Sequence, residues 1–358
     1  MLSIASRPSL LNRKLFSTLG ALSSLPFAIL LVIGIVFLVI EFFSLVTGIV
    51  LTRTITGAVS NLYEATQRVK VGDFSYRIRY RADDQLGTLA ESFNTMTESI
   101  ERLIEESKEK QRLEGELEIA REVQAQLFPK SVPTLSTLEL AAACRPARVV
   151  SGDYYDFLQI GSERLGLAIA DISGKGISAA LLMASVQSAL RTHVYTNGLG
   201  RLVEGGTADM VARLNRQLFD NTPMEKYATL CYAVYDASRR SLTYTNAGHL
   251  PPLLFADGKV RRLEVGGTVI GLFPEAEYEQ DEVVLRPGAI LVAYSDGITE
   301  PENSFGEQFG EGRLIELVER FRTSSADRIV REVLATLDDW KSSPEQDDDM
   351  TLLVARVL

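Results

Sequence analysis

Leu165-Gly166-Leu167-Ala168-Ile169-Ala170-Asp171-Ile172-Ser173-Gly174 is an apolar, strand-like run that closes on an aspartate. The design recurs where Ala289 to Tyr294 runs into Ser295-Asp296-Gly297. It appears in reverse where Asp347-Asp348-Asp349-Met350 opens the run Thr351 to Leu358. A further acidic segment is Ser151-Gly152-Asp153-Tyr154-Tyr155-Asp156. Carboxylates at strand ends cannot crowd together bare, because like charges a few ångströms apart repel and take up protons. Hard divalent cations are their natural partners. One carboxylate from each segment, set against two divalent ions, gives a near-neutral centre. A two-metal site of that kind activates water and clamps a phosphate.

Around these segments the pattern from Leu138 to Leu358 is mixed. Apolar and β-branched runs predict strands at Leu138–Cys144, Leu165–Ala170, Ala228–Tyr235, Ser241–Asn246, Pro252–Phe255, Ala289–Tyr294 and Thr351–Val357. Helices are predicted at Ile177–His193, Thr207–Phe219, Glu311–Phe321 and Ser325–Trp340. Long helices among many non-repeating strands argue for a layered α/β domain. The net charge of −10 argues against nucleic acid as a partner, since phosphate backbones select basic surfaces. Cys144 and Cys231 carry no disulfide or zinc framework and read as core. With only His193 and His249, a histidine-rich metal site is excluded. Ser173-Gly174-Lys175-Gly176 lacks the Gly-Lys-Ser/Thr ending of a P-loop and reads as a tight turn into the Ile177 helix.

The N-terminal part carries a different signal. No charge interrupts Leu15 to Ile40, and after Glu41 the apolar run resumes to Thr52. A bilayer needs about 20 apolar residues, so a single span fits at 27–50. Glu41 would cost roughly 3 kcal/mol there, which the surrounding aliphatic and aromatic residues offset. Next comes a helix from about Ile55 to Val69, with Ile55, Val59, Leu62 and Ala65 on one face. The connector Gly72-Asp73-Phe74-Ser75-Tyr76-Arg77-Ile78 leads to a second helix from Asp83/Asp84. Its Leu86, Leu89, Phe93, Met96, Ile100 and Leu103 form a heptad seam. A second seam, Leu113, Leu117, Ala120, Gln124 and Leu127, is out of phase with the first. Such a shift either overwinds a coiled coil into a switchable joint or marks a solvated linker helix. Phe128-Pro129 ends that helix.

Gly72-Asp73-Phe74, Asp84-Gln85-Leu86-Gly87 and Phe93-Asn94-Thr95-Met96, in that order after a span, resemble a HAMP domain, a parallel four-helix dimer module. Ala58 stands where that family usually has proline, and Gln85 where it usually has glutamate. Further along, several blocks occur together: Glu118–Gln124, Ser151–Phe157, Asp171–Gly176 followed by Ala179–Met183, Tyr227–Leu230, Asn246–Pro252, Tyr294–Glu300 and Asp348–Thr351. Their order resembles the PPM-type metal-dependent serine/threonine phosphatases, in the bacterial branch of stage II sporulation protein E and the sigma-B regulatory phosphatases.

The resemblance implies an αββα sandwich holding two Mn²⁺ or Mg²⁺ ions between its sheets. It implies Asp153, Asp171, Asp296 and Asp348 as ligands, with Ile172 contributing its backbone carbonyl. Asp156 and Asp349 would be acidic neighbours that hold metal-bound water. Arg148, five residues before Asp153, either contacts the substrate phosphate or is a solvated arginine, and His249 reads as structural rather than catalytic. Ser173 stands where animal members have a histidine, so the general acid is unassigned. The family's reaction is attack of water on the phosphoserine phosphorus without a phosphoenzyme. The expected organisation is an N-terminal segment (1–26), a span (27–50), HAMP (53–108), a coiled-coil linker (109–130) and the phosphatase domain (138–358). The expected protein is a single-pass, inner-membrane homodimer with its phosphatase domain in the cytoplasm. It would act on a phosphorylated regulator of the anti-sigma-factor-antagonist type. The rival class is a catalytically silent scaffold that binds the regulator, against which the full set of aspartates speaks. A diguanylate cyclase reading of Ser151–Tyr155 fails on the missing glutamate.

Overall fold

The structure, a computed structural model, describes residues 8–80, 83–196, 206–223, 225–342 and 346–358. The first residues of the expected N-terminal segment, 1–7, lie outside the described residues. The chain divides into two compact units, Met1–Gln111 and Arg112–Leu358.

In the first unit, α1 (Pro8–Lys70) is one uninterrupted helix. The sequence pattern predicts a separate helix from about Ile55, but the apolar segment and the first HAMP helix are continuous. Nothing at the join stops a helix, because Ala58 replaces the usual proline. Apart from Glu41, Ser44 and Thr47, the side chains from Phe27 to Leu51 are apolar, and the segment is exposed and long enough to cross a bilayer. Thr47 and Thr54 return their hydroxyls to the carbonyls of Phe43 and Val50, so neither presents an unpaired polar group. Gly72, at φ +86°, ends α1 in the left-handed conformation that favours glycine. The helix α2 (Gln85–Ala125) is capped by Asp84, whose carboxylate accepts from Gly87 N at 2.9 Å and from Tyr80 OH. Asn94 grips the connector by both backbone groups of Ile78, accepting from its N–H at 2.8 Å and donating to its carbonyl at 3.0 Å. Ala65, Ile78 and Ala90 are the buried centre of this unit.

The second unit is a four-layer sandwich. Its strands are β1 (Leu138–Arg145), β2 (Tyr154–Ile160), β3 (Arg164–Ile172), β4 (Ala228–Asp236), β5 (Ser241–Ala247), β6 (Leu253–Ala256), β7 (Lys259–Arg262), β8 (Gly266–Gly267), β9 (Asp281–Val284), β10 (Ile290–Tyr294) and β11 (Met350–Val357). Its further helices are α3 (Ile177–Thr196), α4 (Gly206–Asn221), α5 (Gly310–Arg320) and α6 (Ala326–Trp340). One sheet runs β1-β11-β10-β6-β7, and the other runs β2-β3-β4-β5-β8 with β9 beside β5. The layers α3/α4 and α5/α6 cover the outer faces.

Alternation along the strands fixes what faces what. In β3, Leu165, Leu167 and Ile169 enter the core between the sheets, while Ala168, Ala170 and Ile172 face α3 and α4. In β11, Leu353, Ala355 and Val357 face the inter-sheet core, and Leu352 and Val354 face α5 and α6. Antiparallel pairing then places the ends. Tyr154 pairs with Ala170, so the start of β2 lies beside the end of β3. Tyr294 pairs with Leu352, so the end of β10 lies beside the start of β11.

The end of the expected coiled-coil linker packs on the chain's own sandwich. Helix α2 passes through the phase shift without a break. Leu117 and Ala120 are half-buried, Gln124 is buried, and Leu127 and Phe128 pack on the α3/α4 core. The end of that seam faces the chain's own second unit. Leu113, Ile119 and Val123 remain exposed.

Candidate metal centre

Stacking the two sheets puts both pairs of strand ends at one edge of the sandwich, and the aspartates go with them. Asp153 precedes β2, Asp171 is the penultimate residue of β3, Asp296 follows β10 and Asp348 precedes β11. By strand parity Asp153 and Asp171 point between the sheets. Each aspartate feels the next. Burial first, and then the charge of Asp171, pushes the Asp153 carboxyl well above the usual carboxylate range. Asp171 is pushed up to about 7 by burial and then by Asp296, Asp348 and Asp349. Asp296 is raised by burial and by Asp348.

The carboxylates share one field without closing into a cage: among the described residues no three His, Cys, Asp or Glu side chains converge as a ready-made ion site. The donor chemistry nevertheless fits hard divalent cations. Asp153 is 2% exposed and its Oδ2 has no hydrogen-bond partner. A buried, orphaned carboxylate oxygen is costly unless a cation meets it. The Ile172 carbonyl lies open beside Gly152, where a Cβ would stand 3.3 Å from it. Gly297 plays a similar part, since a Cβ there would overlap the Asp349 carbonyl. Ser295 ties the two acidic turns together: its Oγ accepts from Thr351 N at 2.9 Å and donates to Asp349 O at 3.1 Å.

Asp156 and Asp349, expected from the sequence to hold metal-bound water, both make contacts within the fold. Asp156 sits at an even position of β2, on the α3 face and away from the inter-sheet edge, and is 0% exposed. Arg191 holds it through Nε at 2.7 Å and a second guanidinium nitrogen at 2.8 Å, and Tyr154 OH donates to it at 2.6 Å. It anchors α3 to the sheet and does not face the site. Asp349 is near the cluster, but both its oxygens are engaged. Oδ1 accepts from Ala147 N at 2.7 Å, and Oδ2 accepts from Ser151 Oγ at 2.8 Å and Gly152 N at 2.6 Å. It pins the loop before β2.

Arg148 is exposed on the loop after β1, close enough for its charge to act on the Lys175 ammonium. Lys175 itself forms an ion pair with Asp348 at 2.8 Å, which raises its pKa, and donates to the Asp347 carbonyl at 2.8 Å. The sequence pattern predicts only a turn there, and the signal of more is a lysine between two glycines, at φ +97° and +80°. A cleft of about 460 Å³ opens beside these residues, lined by Lys175, Glu300, Lys341, Asp347 and Asp348. Ser173 is a latch: its Oγ accepts from Tyr227 N at 3.0 Å, and its N–H donates to the Tyr227 carbonyl. Cys231 is buried core, but Cys144 is half-buried at the base of the site, 3.6 Å from Ser151 Oγ, with its thiol pushed up to about 12 mainly by burial.

His249 closes the turn after β5. The Asn246 side chain accepts from His249 N at 2.9 Å and donates to His249 O at 3.0 Å. The imidazole Nδ1 lies 2.8 Å from Thr229 Oγ1, and burial pulls its pKa down to about 4. It is therefore neutral and structural at working pH. As pH falls below the ordinary value of 6.5, the unfolded chain takes up a proton that the buried ring refuses until about 4. Stability is lost across that window, by about 3 kcal/mol from this group. Urea unfolding at pH 4.5 to 7.5 will show a steeper acid loss in the wild type than in His249→Gln, and equal slopes would refute the assignment.

The stage II sporulation protein E (SpoIIE) family model matches residues 161–358, and the HAMP domain model matches residues 50–102. The chain belongs to the SpoIIE family: it carries a PPM-type phosphatase domain, preceded by a HAMP domain and an apolar helix. It is 34% identical to the phosphoserine phosphatase RsbU of Bacillus subtilis, over 69% of this chain and 71% of that protein. It is 31% identical to protein IcfG of Synechocystis, over 83% of this chain but 51% of that protein, so it spans about half of that relative's length. Among solved structures, the RsbU and RsbW domains of Rv1364c from Mycobacterium tuberculosis align with a TM-score of 0.55 at 27% identity, over 65% of this chain and 63% of that one. The SiaA-PP2C domain of Pseudomonas aeruginosa shares the fold, with a TM-score of 0.61 at 21% identity, over 69% and 98% of the two chains.

Proposed function

We propose that this chain is a membrane-tethered protein phosphatase that removes phosphate from phosphoserine or phosphothreonine on a small bacterial regulatory protein of the anti-sigma-factor-antagonist type. The observation that carries the reading is that Asp153, Asp171, Asp296 and Asp348 stand at strand ends along one sandwich edge and share one electrostatic field, with an orphaned Asp153 oxygen among them. These residues and the Ile172 carbonyl would hold two Mn²⁺ or Mg²⁺ ions. Bound there, the ions would neutralise phosphoryl charge and lower the pKa of water.

The protein's own groups do the rest. Lys175 lines the cleft and Arg148 stands close enough for its charge to act on it, so both bring positive charge near where a phosphate dianion must arrive past a net charge of −10. Arg148 suits bidentate contact with the phosphate. Asp349 and Ser295 fix the loops that carry the ligands. The relative RsbU is named a phosphoserine phosphatase, which supports the same chemistry here. Regulation through the HAMP unit and homodimerisation belong to the same reading: Val59, Leu89, Met96 and Leu103 are exposed, the stripe a second copy would cover. On the same reading the phosphatase domain would lie in the cytoplasm.

The full chain in detergent will hydrolyse p-nitrophenyl phosphate and a phosphoserine-bearing regulator when Mn²⁺ is added, and chelation will abolish both. Activity that survives exhaustive chelation sinks the two-metal reading.

A further inference from the structure

Gln124 is 6% exposed and lies in the last turn of α2. Its Nε2 donates to the Ser151 carbonyl at 2.7 Å, and its Oε1 accepts from the Ser151 N–H at 2.9 Å. Ser151 precedes β2 and has no ladder partner, so one side chain satisfies both of its backbone groups, as a neighbouring strand would. Ser151 is itself a junction: its Oγ donates to Asp349 at 2.8 Å and accepts from the Asp153 N–H at 3.0 Å. The helix exit is fixed as well. Gln187 of α3 donates to the Leu127 carbonyl at 3.2 Å, and Leu127 and Phe128 pack on the α3/α4 core.

We infer that Gln124 is a positioning residue for the metal-holding loop, setting the place of Asp153 through Ser151 and making the end of α2 part of the metal centre's support. The inference rests on the metal-centre reading above. The polar atoms between helix and ligand are all paired, down to the orphaned Oδ2 of Asp153. A shift or rotation of the helix end therefore moves the loop or breaks two buried hydrogen bonds. Near its start, α2 grips Ile78 in the same two-bond manner through Asn94. The helix is thus held by an amide clamp close to each end, one on the HAMP connector and one on the metal loop.

A structural plug and a positioning residue differ in what they do to the metal. Groups that orient ligands typically contribute 10–100-fold to metal affinity. Gln124→Met keeps the side chain's length and removes both hydrogen bonds. In the full chain in detergent, Mn²⁺ titration by calorimetry will give a Kd raised about tenfold, the Tm in EDTA will change little, and saturating Mn²⁺ will restore most of kcat. Gln124→Glu keeps the acceptor for Ser151 N–H and loses the donor. It will shift Kd in the same direction by a smaller factor, and it reports if the methionine variant does not fold. A wild-type Kd in either folded variant, with the only change a lower Tm in EDTA, overturns the assignment. A wild-type protein that takes up no Mn²⁺ at all overturns the metal-centre reading instead.

Discussion

Asp171→Asn will lose activity while making the metal-free protein more stable. If Asp171 holds a divalent ion as proposed, losing it forfeits several kcal/mol of transition-state stabilisation, so hydrolysis should fall on the order of a thousandfold. The gain in stability follows from the electrostatics. Asp171 is raised from 3.8 to about 7, by burial first and then by Asp296, Asp348 and Asp349. A raised carboxyl pKa means the folded state keeps a proton that the unfolded chain releases near pH 4. The stability from that proton is fully present below about 4 and is lost as pH rises through about 7. At pH 8 the metal-free wild type therefore carries a charge it resists, at a cost on the order of 2–4 kcal/mol. The asparagine side chain has a similar shape and no charge, so in EDTA at pH 8 the variant's unfolding midpoint in urea should rise. At pH 4.5 the gap between the two proteins should nearly close. With Mn²⁺ the order should reverse, because the cation meets the charge in the wild type and has less to meet in the variant. A variant that is destabilised in EDTA at pH 8, or that keeps a tenth of its activity, refutes the account.

Much of this centre was legible because it depends on strand ends. An apolar run closing on Asp171, another on Asp296 and one opening after Asp348 each reveal a strand and its terminus together. The strand β2 was not legible as a strand. Its outward positions are Tyr154, Asp156 and Leu158, and a buried aspartate in the middle breaks the apolar pattern. Only the pairing of β2 with β3 shows that Asp153 and Asp156 point to opposite faces. The fate of Asp349 depends on the backbone of residues 147–152, which no local pattern encodes. Lys175 was hidden for a similar reason, since its partner Asp348 lies far along the chain. Gln124 did leave a mark: a polar residue in an otherwise apolar seam is a common sign of a specific buried partner. The seam's spacing predicts a buried face but not whether the other side is a second helix or the chain's own sandwich. At the end of the seam the buried Gln124 and the packed Leu127 meet the chain's own sandwich.

Arg191→Ala should be strongly destabilising, and it should leave metal binding alone. Asp156 is fully buried on the α3 face of β2, where its carboxylate accepts two bonds from the Arg191 guanidinium, one from Tyr154 OH and one from Phe157 N at 2.8 Å. The arginine is partly exposed, with 35% of its side-chain surface accessible, so the pair is desolvated mainly on the acid's side. Removing the arginine leaves a buried carboxylate with two neutral donors and no counter-charge. Breaking such a pair from one side costs about 3–5 kcal/mol, roughly a fifth or more of the stability of an ordinary domain. Removing the charge from both sides costs far less, so Asp156→Asn added to Arg191→Ala should recover most of the loss. Urea denaturation of the single and double variants measures this directly. The same proteins separate the two possible roles of Asp156. If it held water beside the ions, either substitution would weaken Mn²⁺ binding. Because it faces α3 and not the inter-sheet edge, the double variant, assayed below its Tm, should bind Mn²⁺ with a Kd within about twofold of wild type, well short of the tenfold or greater loss expected of a ligand-orienting group.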